Sequence, residues 1–110
     1  MLTWVSLVLH ELTSRTGRLT ASEAAQLVRR STSSFRHEFT HLAGTTFRTA
    51  CLRARLERGK LLLMTTCLSI PDISNHLGYS DRTKFEKAFK RVYGNTPTQF
   101  RRIGRSGSGR

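Results

Sequence analysis

Residues 82–90 carry side chains that could grip a polyanion. At helical steps of 100° Thr83, Glu86, Lys87 and Lys90 share one face, with Arg82 at its edge, while Phe85, Ala88, Phe89 and Val92 recur at i, i+3, i+4 and i+7 on the other. Other chemistry has less support. His37 and His41 lie four apart, a spacing that lets two imidazoles share a metal, but no nearby carboxylate or thiolate clearly completes a ligand set, so no metal is expected. Ser, His and Asp are all present, yet no nucleophile elbow, phosphate loop or paired-carboxylate pattern accompanies them. Neither an enzyme nor a cofactor is expected. Cys51 and Cys67 fall within apolar helical patterns and form no CxxC pair, which reads as two small core residues in a reducing cytoplasm rather than a disulfide or zinc module.

The charge balance agrees with a polyanionic partner. A chain of 110 residues with 37% apolar content is one small domain, and its formal charge of +12 and pI near 11.4 point to DNA, RNA or an acidic membrane surface. Charge alone does not choose among the three. Residues 1–50 hold six Lys and Arg against three Asp and Glu, and residues 51–110 hold thirteen against four, so the second half should grip phosphate harder. The apolar run of residues 2–9 has no Lys or Arg before it and is interrupted by His10 and Glu11, so neither a secretion signal nor a transmembrane helix is expected.

Start and stop signals divide the chain into about seven helices. Trp4, Val5, Val8, Leu9 and Leu12 predict a first helix over residues 3–13. Thr20 and Glu23 form a capping box before Ala24, Ala25, Leu27 and Val28, and Arg29-Arg30 make a turn. Ser31 then caps a helix over residues 32–43, with Phe35, Phe39 and Leu42 inward, Ser33, Arg36, His37 and Thr40 outward, and Gly44 past its end. Thr46 caps a long helix over residues 47–64, in which Gly59 costs about 1 kcal/mol against alanine unless a neighbour packs closely there. Ser69 and Asp72 open a short helix containing Ile73 and ending at Leu77, before a turn at Gly78. Ser80 is expected as the next N-cap, Asp81 in the first turn, Gly94 as the stop, and Thr96-Pro97 as the last start.

A short helix, a glycine turn and a longer helix with a basic outer face make up a helix-turn-helix unit, although a helical hairpin with a solvated charged face has the same pattern. The unit occurs twice, since Phe35, Phe39, Gly44 and Thr46 correspond to Phe85, Phe89, Gly94 and Thr96 at an offset of 50 residues.

The run Ile70, Ile73, Gly78-Tyr79, Phe85, Phe89, Gly94, Thr96-Pro97, Phe100 and Arg101 closely resembles the C-terminal signature of the AraC/XylS family of bacterial transcription regulators. With the repeat, the resemblance covers roughly residues 18–102. It implies an all-α, homeodomain-like fold: a first helix-turn-helix unit (residues 1–44), a linker helix (45–66) and a second unit (67–103), followed by a disordered Gly/Ser/Arg tail (104–110). The first unit departs from the pattern, with Arg29 and Arg30 where the family favours a glycine and an apolar residue, and Phe47 where it favours proline.

Carried over by position, the resemblance implies base reading by Arg82, Thr83, Glu86 and Lys87 and by Ser33, Arg36 and His37. Arg82 and Arg36 would pair with guanine, and Glu86 would accept from cytosine. It implies phosphate contacts by Thr20, Ser31, Arg48, Ser80, Lys84, Lys90 and Thr96. The expected protein is a cytoplasmic, sequence-specific regulator, an activator as is usual in that family. It would act with RNA polymerase and no membrane, and bind double-stranded DNA as a monomer. A linker helix of about 27 Å would hold two recognition helices about 34 Å apart, one DNA turn. The alternative is a basic helical module coating nucleic acid or an anionic surface without specificity. Many relatives carry a separate sensing or dimerisation domain for which this length has no room, so the chain is either a short stand-alone member or the C-terminal part of a longer protein.

Overall fold

Two phenylalanines one helical turn apart organise each half of the chain. The computed structural model describes residues 3–108, and among these it contains seven helices and no strands: α1 (Trp4–Ser14), α2 (Ala21–Leu27), α3 (Thr32–Ala43), α4 (Phe47–Thr65), α5 (Ile70–His76), α6 (Arg82–Tyr93) and α7 (Pro97–Ser108). The chain divides into two compact units, residues 1–55 and 56–110, and α4 contributes its first half to one and its second half to the other.

In the first unit Phe35 and Phe39 of α3 are fully buried and meet Phe47 at centroid distances of 5.1 and 5.6 Å, while Trp4 of α1 lies 5.8 Å from Phe35. Val5, Val8 and Leu12 of α1 and Ala24 and Ala25 of α2 complete this core. In the second unit Phe85 and Phe89 of α6 are fully buried, with Tyr79 5.5 Å from Phe85 and Phe100 of α7 5.5 Å from Phe89. Each such ring contributes roughly 1.5–3 kcal/mol by leaving water. Phe47, which stands where the second unit has Pro97, supplies the ring that Phe100 supplies there, with Ala50 at the position of Phe100. The departure from proline is thus a trade of volume within the core.

Local chemistry sets the element boundaries. At α2 the Thr20 hydroxyl accepts the Glu23 N–H at 3.1 Å, and the Thr20 N–H donates to Glu23 Oε1 at 2.9 Å. The backbone hydrogen bond from Thr20 holds the Glu23 carboxyl below its ordinary pKa, so this contribution is present at neutral pH and is lost as pH falls through the lowered value. Gly59 faces Leu77 and Phe85, where an added Cβ would come within 2.9 Å of Leu77 Cδ1 and 3.1 Å of Phe85 Cε1, so close packing accounts for a glycine inside α4. Arg101 ties α7 to the end of α4, donating to the carbonyls of Leu63, Thr66 and Leu68 at 3.1, 3.1 and 2.6 Å.

The structure corrects two expectations here and refines a third. Leu42 and Val92, expected inward, are 60% and 41% exposed, because both sit in a last turn that the αL glycines Gly44 and Gly94 lead the chain away from. The stretch expected as a disordered tail continues α7 through Gly104 to Ser108, since a helix already anchored at Phe100 and Arg101 gains one backbone bond for each residue it adds. Gly109 and Arg110, like Met1 and Leu2, lie outside the described residues. The refinement concerns the repeat. α3 and α6 are related by 50 residues but α2 and α5 by 49, so the second turn is one residue longer.

The equivalent turn bonds locate that residue. The Arg29 and Arg30 N–H groups donate to Gln26 and Ala25, and those of Gly78 and Tyr79 donate to Asn75 and Ser74, which leaves Ser80 as the insertion. Arg29 therefore occupies the place of Gly78 and shares its left-handed backbone, with φ of +55° against +88°. A side chain there costs roughly 1–2 kcal/mol, part of which glycine returns through its own flexibility. Arg29→Gly should stabilise the first unit by about 1 kcal/mol, read as a higher thermal midpoint in the fluorescence of Trp4, the only tryptophan. An unchanged or lower midpoint would contradict the strain.

Candidate nucleic-acid interface

The helix α6 begins at a cap that the sequence placed one residue too early. Asp81, not Ser80, is the N-cap: its Oδ1 accepts the Lys84 N–H at 2.9 Å, and its carboxylate sits at the positive helix end. Ser74 of α5, almost fully buried, donates its hydroxyl to the Asp81 carbonyl at 3.3 Å and so pins the entry of α6 to the helix before it. At the other end Lys90 and Arg91 lie in the last turn, where cations complement the helix dipole. The ends and the inner face of α6 are therefore fixed, and its outer face follows.

That outer face carries the residues expected there. Arg82, Thr83, Lys84, Lys87 and Lys90 are exposed and Glu86 is half-buried, its carboxylate 3.3 Å from Arg82 Nε. Exposed Arg91 adds a cation that the 100° pattern did not single out, because it lies beside rather than on the predicted row.

The face of α3 is more neutral. Ser33, Arg36, His37 and Thr40 are exposed and, with His41, line an open depression of about 580 Å³. The Thr40 hydroxyl turns back to the Arg36 carbonyl at 2.8 Å. No group of three metal-ligating side chains occurs among the described residues. Glu38, between the two histidines, is held by Arg30 at 2.6 Å, and the Arg30 guanidinium stacks 4.3 Å from the Trp4 ring centre. Arg30 and Glu38 occupy the places of Tyr79 and Ala88, so this unit has an ion pair beside a tryptophan where the other has a tyrosine packed on Phe85.

The residues expected to meet phosphate divide by geometry. Arg48, Ser80, Lys84 and Lys90 are exposed. Thr20, Ser31 and Thr96 each use the hydroxyl oxygen as an N-cap, accepting from Glu23, Ser34 and Gln99, which leaves the hydroxyl hydrogen to donate. The Thr96 N–H is engaged by Gln99 Oε1 at 2.9 Å, so that helix start offers an anion fewer free donors than its sequence suggests. Cys51 lies beside Arg48 and Arg55, but burial pushes its thiol up against the lowering pull of Arg55 and Arg36, and its sulfur donates to the Leu19 carbonyl at 3.6 Å. It is a half-buried neutral thiol, whereas Cys67, expected in the core with it, is exposed in the link between α4 and α5. No helix among the described residues is long and apolar enough to cross a membrane.

Two short helix-turn-longer helix units with polar outer faces, that of α6 strongly basic, define a helix-turn-helix protein, and comparison with known proteins agrees. A family model described as a helix-turn-helix domain matches residues 24–103. The chain is 45% identical over 51 residues to the Msm operon regulatory protein of Streptococcus mutans serotype c, an alignment covering 46% of this chain and 18% of that protein. It is 35% identical over 66 residues to the transcriptional activator NphR of Rhodococcus sp, covering 60% of this chain and 20% of that one. The C-terminal domain of AraT, a response regulator from Geobacillus stearothermophilus, superposes with a TM-score of 0.80 at 25% identity, over 93% of this chain and 86% of that domain. The chain belongs to the AraC/XylS family of helix-turn-helix DNA-binding transcription regulators. Its matched region spans about a fifth of the length of these two curated relatives.

Cap geometry generates a direct test. Asp81→Ala should destabilise the second unit by about 1 kcal/mol, whereas Ser80→Ala should stay within about 0.5 kcal/mol, both measured by urea unfolding. A larger loss at Ser80 than at Asp81 would contradict the assignment of the cap.

Proposed function

We propose that this chain is a sequence-specific regulator that places α3 and α6 in successive major grooves of one duplex, and that it activates transcription through contact with RNA polymerase in the cytoplasm. The observation that carries this reading is α6, whose two inward phenylalanines are fully buried while Thr83, Lys84, Lys87 and Lys90 stand exposed on its other side. Burial of one face leaves only the other to enter a groove. The activator role is supported by the name of NphR, a transcriptional activator, and by family membership.

In this reading Arg82, Thr83, Glu86 and Lys87 meet base edges in one groove, and Ser33, Arg36 and His37 do so in the other. Thr20, Ser31, Arg48, Ser80, Lys84, Lys90 and Thr96 hold the register on phosphates. The second unit contributes more of the affinity, because its recognition helix carries Lys84, Lys87, Lys90 and Arg91 where α3 has Ser34, His37, Thr40 and His41. The two recognition helices differ in sequence but belong to one polypeptide. One chain therefore binds one non-palindromic site made of two unlike boxes about 10 base pairs apart.

Selection from random duplexes at moderate salt tests the reading. A two-box motif is expected, and equal binding to RNA or acidic vesicles with no motif would instead support a non-specific basic module. On the selected site Lys87→Ala should cost about 1–3 kcal/mol and relax one or two base pairs, while Lys90→Ala should weaken all sequences alike and flatten the salt slope by about one. Insertion of five base pairs between the boxes moves one of them to the far side of the duplex and should abolish high affinity in a gel-shift titration. Tight binding that ignores the insertion, or two chains on a palindrome, would contradict the two-box arrangement.

A further inference from the structure

We infer that Glu86 is a positioning residue for Arg82 rather than a separate reader of cytosine, so that the two side chains read one base pair as a unit. The inference rests on the proposal that α6 enters the major groove. Glu86 Oε1 lies 3.3 Å from Arg82 Nε, and Glu86 is the less exposed of the two, its side chain 32% accessible against 59%. The carboxylate is the more covered partner and the guanidinium the one that reaches outward.

Helix stability gives only a weak reason for this pair. Arg82 is the first residue of α6, where the helix dipole disfavours a cation, and an arginine four residues before a glutamate is the weaker order of the two. Nor does the fold require it. The equivalent positions of α3 are Thr32 and Arg36, yet α3 has the same length, a polar N-cap at Ser31 and the same pair of buried phenylalanines.

Its consequence lies in the guanidinium. An arginine side chain is long and flexible, and an ion pair on its Nε side biases the guanidinium toward Glu86 while leaving Nη1 and Nη2 to donate. Two parallel N–H groups at the end of a fork so biased match O6 and N7 of guanine. Glu86 also gains from the arrangement. A carboxylate alone in the groove would face guanine acceptors and phosphates, and Arg82 offsets that charge.

The test is binding-site selection with the natural chain and with Arg82→Ala, Glu86→Ala, Glu86→Gln and the double alanine variant, with circular dichroism to confirm that each is helical. The natural chain should prefer guanine at one position by about ten- to a hundredfold. Arg82→Ala and Glu86→Ala should both lose the preference at that same position, the double variant should be no worse than either, and Glu86→Gln, which keeps an acceptor oxygen, should recover part of it. If Glu86→Ala relaxes a different base pair, with effects that multiply in the double variant, the two residues read independently and the inference is overturned. It is equally overturned if Glu86→Ala, or Arg82→Ala, changes affinity while the motif stays intact. A natural chain that enriches no motif removes the proposed function itself, a failure distinct from these.

Discussion

Burial of two phenylalanines one turn apart on a single helix is the constraint from which the rest of this structure follows. Phe35 and Phe39 in the first unit, and Phe85 and Phe89 in the second, are wholly removed from water. A helix so anchored has no rotational freedom about its axis, because turning it would expose rings whose burial contributes several kcal/mol in total. The identity of the outward residues is then a matter of 100° steps. Capping fixes the remaining freedom along the axis, through Ser31 and Asp81 at the starts and the αL glycines Gly44 and Gly94 at the ends.

The same device is used twice with different supporting parts. In the second unit Tyr79, Phe89, Tyr93 and Phe100 form a continuous aromatic set with Phe85, and Tyr93 also donates its hydroxyl to Glu57 at 2.8 Å. In the first, Phe47 and Trp4 supply the rings, and Arg30 bridges Trp4 and Glu38 where the other unit has Tyr79 packed on Phe85. The first turn also carries a strained arginine in place of glycine. Both units thus present a helix of 12 residues, but the first does so at some cost in its turn and with a face poorer in lysine.

Much of this was legible in the sequence, for identifiable reasons. The helices, the Thr20–Glu23 capping box and the inward phenylalanines follow from short-range rules, and the packing need of Gly59 follows from its misfit in a helix. What escaped were features that depend on a partner far along the chain. Asp81 became the cap because Ser74, seven residues back, holds its carbonyl. Arg101 stands in the family-like signature, but its role shows only where three carbonyls from residues 63–68 converge on it. The one-residue difference between the turns is invisible in the phenylalanine repeat, which keeps an offset of 50, and matching the turn hydrogen bonds assigns it to Ser80. Leu42 and Val92 satisfied the helical period yet lie beyond what their neighbours cover. Among the outward residues the sequence identified the row on α6, but not that Arg82 and Glu86 engage each other.

The central claim is that one chain meets DNA through the outer faces of both α3 and α6 while the phenylalanines behind them stay fixed. Backbone amide spectra recorded during titration with a selected two-box duplex test it most directly. The account predicts that the amides of Ser33, Arg36, His37, Thr83, Glu86 and Lys87 shift together at one equivalent of duplex per chain, and that those flanking the buried positions of α1 and α2 change little. Shifts confined to α6, or concentrated on α1 with α3 and α6 unmoved, would contradict it.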